Sequence, residues 1–519
     1  MPPPPRLESN FSLLDGCIVG VYLSLSLLVG VWANKYIRST RTYLVGGGKA
    51  GVALNTATYI GTTLGLVTLM YASIDAFSNG FAYVTLALIG LATGLFLGAT
   101  GMVIGPLRSM DLLTIPEYFE KRYSRDVRVA GGTICALAGI LNMGLFPKMG
   151  ATFIAYSSGL YASADNPEML VNIITSVLLV MVLVYTVLGG MVSVLITDYV
   201  QFVVLSIGMS LGVYFCLTHP DLGWNTMLTA MAEHRGERMF NPLAEDGYGW
   251  TWIIFNGLVF LVAGFCWAPE ASRALTARDE KAARWTFLAA STGMFARLAV
   301  PALWAAAAFT LVAQNADMCD YFFPDGLDQA PKNAEQAMPM TIGAILPSGL
   351  LGILAAGLLA AFMSTHDSYL LCWSSVISRD VVGPLLGGKP SDRREIAITR
   401  ISVVAIGGFL LVWGIWYKLP DSVWTYMAVS GTIYLSGAGV ALVGGLYWKG
   451  ASAAGAWAAL LSGLLATAGL FLDPVNEALK ANGWEMQFSS EAVGLFNYAW
   501  CAAMFVIFSL LFPDKKKGK

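Results

Sequence analysis

The sequence predicts an all-α polytopic membrane protein, and three observations carry that prediction. Apolar residues make up 56% of the 519 positions and charged residues only 12%, where soluble domains carry about 25% charge. The mean hydropathy is +0.64. The apolar excess recurs as runs of about 20 residues from end to end, the length that crosses a bilayer as a helix. Lipid offers the backbone no hydrogen-bond partners, so each run is expected to bond internally, as helix. No linker divides the chain, and residues 1–519 read as a single transmembrane domain. Soluble enzymes, nucleic-acid binders and disordered scaffolds are excluded by this pattern. A net charge of −2 adds no basic field for nucleic acid.

A window of about 19 residues gives about 13 spans, near 11–33, 51–73, 80–104, 129–157, 170–188, 190–216, 250–268, 285–313, 341–378, 398–416, 422–447, 452–472 and 493–512. The first is expected to remain in place, because Met1-Pro-Pro-Pro-Pro-Arg6 lacks the basic start and cleavage site of a signal peptide. In the third, Gly90, Gly94 and Gly98 recur every fourth residue, which reads as a close helix-packing stripe. The fifth and sixth are divided only at Gly189-Gly190, where a tight turn is expected. The ninth is too long for one crossing, so part of it is expected to begin as an external helix. Lysine and arginine set the orientation. Alternate loops hold 23 of the 31 cations and the opposite loops 6, with Lys148 and Arg297 inside spans. That places the N-terminus outside and the C-terminus in the cytoplasm.

Against this apolar background the polar residues stand out, since a charge at membrane depth costs about 2.5 kcal/mol or more. Lys148, Asp198, Arg297, His366 and Asp367 lie inside spans; Asp15 lies near the outer end of the first, within reach of the wet interface. Each is open to a structural ion pair or a functional role, and together they suggest a polar interior of the kind a transporter, pump or channel needs. The second span carries Thr56-Ala-Thr-Tyr-Ile-Gly-Thr-Thr-Leu-Gly-Leu-Val-Thr68, with five threonines and two glycines in mid-helix. Glycine permits unwinding, and unwound carbonyls suit a hard cation such as sodium; the other reading is a small-residue packing face. In the ninth span, Ser364, Thr365, Asp367 and Ser368 lie within about 6–7 Å along a helix axis. Their oxygens are able to complete a cage, or to bond back to their own helix. The seven cysteines show neither CxxC nor metal-ligand spacing, and the three histidines are scattered, so no catalytic or metal constellation is expected.

Four segments resemble the sodium/solute symporter family. They are Tyr43-Leu-Val-Gly-Gly47; Thr114-Ile-Pro-Glu-Tyr-Phe-Glu-Lys-Arg122, in which Thr114 and Glu117 also have capping-box spacing; Gly189-Gly-Met-Val-Ser-Val-Leu-Ile-Thr-Asp198-Tyr-Val-Gln201; and Ser364-Thr-His-Asp-Ser-Tyr-Leu-Leu-Cys-Trp-Ser-Ser-Val-Ile-Ser-Arg-Asp380. The resemblance implies an inverted 5+5 repeat core, with one extra N-terminal helix and two extra C-terminal ones. Repeat one would cover about 51–216 and repeat two about 250–447, leaving peripheral helices near 11–33, 452–472 and 493–512. It implies a sodium site from the carbonyls of Gly61, Leu64 and Ala361 with the hydroxyls of Ser364 and Thr365. A possible second sodium would use Asp198, Asp367 and Ser368.

By location in the family's fold, Thr63, Thr68, Lys148, Asn256 and Tyr434 are the candidates for solute contact, Tyr434 also as a gate. Lys148 would pair with a solute carboxylate, or else with an internal acid or the interface. Glu270-Ala-Ser-Arg273 departs from the family's Gln-Arg ending, which touches only a cytoplasmic contact.

The expected function is therefore a sodium-coupled symporter importing a small polar organic solute (carboxylate, sugar, amino acid or vitamin) by alternating access. It would sit in the plasma (inner) membrane, with Na+ as coupling ion, no organic cofactor and no obligate protein partner. The alternatives are a proton-coupled or uncoupled transporter or sodium channel on the same fold, and, more distantly, a membrane sensor.

Overall fold

The computed structural model describes residues 5, 7–33, 50–245, 247–387, 391–417, 422–483 and 487–514. The segment Tyr43–Gly47 and many of the loop and C-terminal cations lie outside these residues. Among the described residues the chain is helical, with one isolated bridge between Ala50 and Ala277 and no strand. Eleven segments are long and apolar enough to cross a membrane, and Leu13–Ser26 forms a shorter apolar run. That measure counts 11 of the expected 13 among the described residues: the second span is divided, and the first is counted only over Leu13–Ser26.

The helices follow in order. α1 (Leu13–Ala33) precedes the divided pair α2 (Val52–Thr63) and α3 (Leu66–Asn79), then α4 (Val84–Thr100) and the short α5 (Ile115–Arg122). α6 (Arg125–Asn142) and α7 (Phe146–Ser157) share one span, and α8 (Pro167–Thr218) holds two. A second divided pair follows, α9 (Gly249–Cys266) and α10 (Ala268–Thr276), then α11 (Glu280–Gln314). The long ninth run resolves into α12 (Ala334–Ile345) and α13 (Leu350–Val376). The chain closes with α14 (Asp392–Trp416), α15 (Val423–Tyr447), α16 (Ala453–Gly463) and α17 (Ser490–Leu511).

The expected turn at Gly189-Gly190 falls between the two described spans of α8, Pro167–Val187 and Val194–Thr218, which run in opposite directions. Leu183 and Thr175 lie against Gly407 and Gly414 of α14, while Leu205 and Gly208 lie against Gly357 and Leu354 of α13. α13 and α14 are themselves antiparallel, joined at their near ends by Ser378–Thr399 and Arg379–Glu395 contacts.

α13 is the axis of the molecule, with 89% of its membrane window buried. Its start is held by Asp15, which is buried rather than wetted at the interface. The Asp15 carboxylate accepts from the backbone N–H of Gly349 at 2.7 Å and of Gly352 at 2.5 Å, which satisfies donors that a helix start leaves open. The glycine stripe of α4 packs as expected: a Cβ at Gly94 would stand 2.9 Å from Ser291 Cβ, and one at Gly98 2.6 Å from Leu288 Cγ, both on α11.

At the other end of α13, two of the quoted segments meet. Asp380 accepts from Arg128 at 2.7 Å and from Thr114 at 2.9 Å, and Arg128 also pairs with Glu120 at 2.5 Å. Thr114 therefore does not close a capping box. Its hydroxyl goes to Asp380, while Glu117 accepts from Leu113 N–H at 2.9 Å. Arg122 donates to the carbonyls of Gly445 and Ala451, around the C-terminal end of α15, where a cation is favoured.

Candidate functional site

The first helix break sets the geometry. α2 ends at Thr63, Leu64 and Gly65 are non-helical, and α3 restarts at Leu66. Gly65 is needed there for space, since its φ of −79° suits any residue. A Cβ would collide with the Thr365 hydroxyl and stand 3.1 Å from Thr365 Cβ. The close approach brings α13 onto the carbonyls at the end of α2. Ser364 Oγ donates to Gly61 O at 2.8 Å, and Thr365 Oγ1 to Thr62 O at 3.2 Å; both also reach Ala361 O, at 3.2 and 3.0 Å. Gly61, Ala361, Ser364 and Thr365 are thus brought together. Leu64 sits in the break, its N–H bonded to Ile60 O at 2.7 Å, and Thr62 is the carbonyl that Thr365 meets. The hydroxyls can turn their protons away and present, with the carbonyls, an all-oxygen cradle fit for a hard cation.

Beside this cradle lies a buried charged cluster that sequence reasoning misassigned. Arg273 was read as touching only a cytoplasmic contact, but it is 1% exposed. Its guanidinium hydrogen-bonds Thr62 Oγ1, donates to Ser368 Oγ at 3.0 Å and pairs with Asp198 at 3.5 Å. A cation of the chain's own therefore stands beside Asp198 and Ser368, where sodium was expected. Asp367 points the other way and accepts from Tyr185 OH at 3.0 Å. One oxygen of each acid, Asp198 Oδ1 and Asp367 Oδ1, is buried without a hydrogen-bond partner.

The second break falls at Trp267 (φ −70°, ψ 119°), between α9 and α10. Pro269 opens α10; having no N–H, it fits the first turn of a new helix and poorly continues an old one. That proline was the available signal. The two breaks face each other across a cavity of about 690 Å³, part of it open to solvent. Thr63 and Thr68 line it, with Thr365 shared between cavity and cradle, and the walls include Tyr71, Phe260, Trp267 and Trp424.

The other solute candidates lie elsewhere. Asn256 stands behind the wall and accepts from Trp424 Nε1 at 2.9 Å, fixing that ring. Lys148, in the first turn of α7, is turned away from the cavity and donates to Tyr417 O at 3.5 Å. Tyr434 is fully buried and does not line the cavity. Glu270 and Arg297 do line it, and neither was chosen from the sequence as a solute contact.

Two broken membrane helices that meet a hydroxyl-bearing third helix beside a central cavity define a secondary transporter of the inverted-repeat type. The chain belongs to the sodium:solute symporter family, whose sequence profile matches residues 43–463. It is 25% identical over 468 residues to human high affinity choline transporter 1, covering 82% of this chain and 76% of that protein. It is 24% identical over 444 residues to the sodium/sialic acid symporter SiaT of Proteus mirabilis, covering 82% and 83%. Among solved structures, the substrate-bound outward-open state of a Na+-coupled sialic acid symporter shares the fold, with a TM-score of 0.76 at 21% identity over 98% of this chain and 100% of the other. These relatives are transporters, and the chain is a multi-pass membrane protein of a family built for sodium-coupled symport.

Proposed function

We propose that the protein imports a small polar organic solute by sodium-coupled symport with alternating access, in the plasma (inner) membrane, N-terminus outside and C-terminus in the cytoplasm. The observation that carries this is the junction of α2 and α13, where Ser364 and Thr365 face the carbonyls of Gly61 and Thr62 at a helix break beside the cavity. Sodium at Gly61, Leu64, Ala361, Ser364 and Thr365 would bridge the two helices and favour the outward-open state. Repeats at about 51–216 and 250–447 are supported by the broken pair that opens each half. Entry of one sodium through 100 mV releases about 2.3 kcal/mol before its concentration gradient adds more, enough to concentrate a solute many-fold. The mechanism needs no organic cofactor and no protein partner.

A second coupling cation, sodium or proton, is favoured by one observation: two buried carboxyl groups, Asp198 and Asp367, share the cluster with one guanidinium, Arg273, and each has an unpartnered oxygen. The test is uptake into proteoliposomes of a solute found by thermal-shift screening with and without sodium. An inward sodium gradient is expected to drive accumulation, and Asp198→Asn to lower the sodium Hill coefficient. Uptake indifferent to sodium rejects the coupling ion.

A further inference from the structure

We infer that the solute is a small zwitterion, its carboxylate held at Arg297 and its ammonium at Glu270; this rests on the cavity between the two breaks being the solute site. Among the described residues lining that cavity, Glu270 and Arg297 are the only formal charges. They do not pair with each other within ion-pair distance, so each keeps bonding capacity toward the cavity.

Arg297 is 6% exposed. It donates to Thr63 O at 3.1 Å and lies 5.4 Å from the Phe260 ring centroid, and its Nε has no partner. Its anchor, Thr63, ends α2; opposite it, α3 begins at Leu66 after Gly65, which offers no side-chain cap, and Val67 and Thr68 of its first turn line the cavity. Open N–H groups and a buried guanidinium together favour an anion at that end. Glu270 lies in the first turn of α10, one oxygen accepting from Tyr59 OH at 3.3 Å. Trp267 and Tyr369 stand on the same side, joined by a 3.1 Å hydrogen bond, and aromatic faces beside a carboxylate suit an ammonium.

The two side chains cancel in charge. A solute with one charge serves one end and unbalances the pair, whereas a zwitterion serves both. A sugar brings hydroxyls that can bond each end, but no charge to offset either. Tyr71, Phe260 and Trp424 would pack the carbon frame.

The test uses the purified full chain in nanodiscs with saturating sodium and reads binding calorimetrically. The probes are the twenty protein amino acids and glycine betaine, against choline (cation only), pivalate (anion only) and glucose (neutral). At least one zwitterion is expected to bind ten or more times more tightly than all three controls. Arg297→Gln and Glu270→Gln are each expected to weaken that zwitterion roughly 30-fold or more. Arg297→Gln should narrow the gap to choline, and Glu270→Gln the gap to pivalate.

Binding of no zwitterion, equal binding of a control, or unchanged affinity in Arg297→Gln overturns the assignment. Arg297→Lys, which keeps the charge, serves if the glutamine variant does not fold. The sodium-induced change in tryptophan fluorescence, measured without solute, separates the two levels. If it is intact while zwitterions fail, only the solute class falls; if it is absent in the wild type, the symport reading falls.

Discussion

Gly65→Ala isolates the contact on which ion binding depends. Gly65 has φ −79° and ψ 154°, a conformation alanine adopts freely, so the substitution adds a methyl group without backbone strain. That methyl collides with the Thr365 hydroxyl and lies 3.1 Å from its Cβ and 3.2 Å from its Cγ2. Overpacking of this kind costs about 1–3 kcal/mol. Because the displaced group is the proposed ligand, the cost should appear as weaker sodium binding, roughly 5- to 150-fold at 1.4 kcal/mol per decade. The assay is a sodium titration of tryptophan fluorescence in nanodiscs, with uptake as a second readout. Thr365→Ala removes the hydroxyl and Cγ2 and leaves only Cβ, 3.1 Å from the added methyl, so Gly65→Ala on that background should add less than it costs in the wild type, a departure from additivity. An unchanged sodium midpoint in Gly65→Ala would refute the reasoning, since the methyl has nowhere else to go.

Ser364→Ala removes the hydroxyl 2.8 Å from Gly61 O and should raise the half-saturating sodium concentration several-fold, measured by the same titration. Lys148→Ala should leave solute affinity within about twofold, because the ammonium is turned to Tyr417 O; a large loss would return Lys148 to the solute site. Asp380→Asn strips Arg128 of its buried partner while Glu120 still pairs with it. A cost of about 3 kcal/mol, the lower end for a broken buried pair, should lower the midpoint of thermal unfolding.

Most of the helical architecture was legible in the sequence because lipid forces apolar length and internal hydrogen bonding onto each crossing. The break at Gly65 was legible as well, since glycines among threonines in mid-span have few other physical readings. The break at Trp267 was not: hydropathy runs through Phe265-Cys266-Trp267 without interruption, and only Pro269 marks it. Arg273 was misread because counting cations near helix ends treats each as solvated, while its guanidinium turns inward to two oxygens and a carboxylate. Lys148 failed for the opposite reason. Sitting in an apolar run does not set the direction of a four-carbon stem, and this one reaches a backbone carbonyl away from the cavity. Asp15 looked wettable because the N–H groups that hold it come from Gly349 and Gly352, more than 300 residues away.

Thr365 belongs to two walls at once, its hydroxyl facing the end of α2 while its side chain borders the chamber between the breaks. Two guests that share a wall settle their energies jointly. Whatever factor one lends to the other's dissociation constant must be returned in full, because the thermodynamic square closes. With favourable coupling, a bound cargo would thus tighten the hold on its ion, and each would be held more weakly once the other had gone, through a single methyl-bearing alcohol.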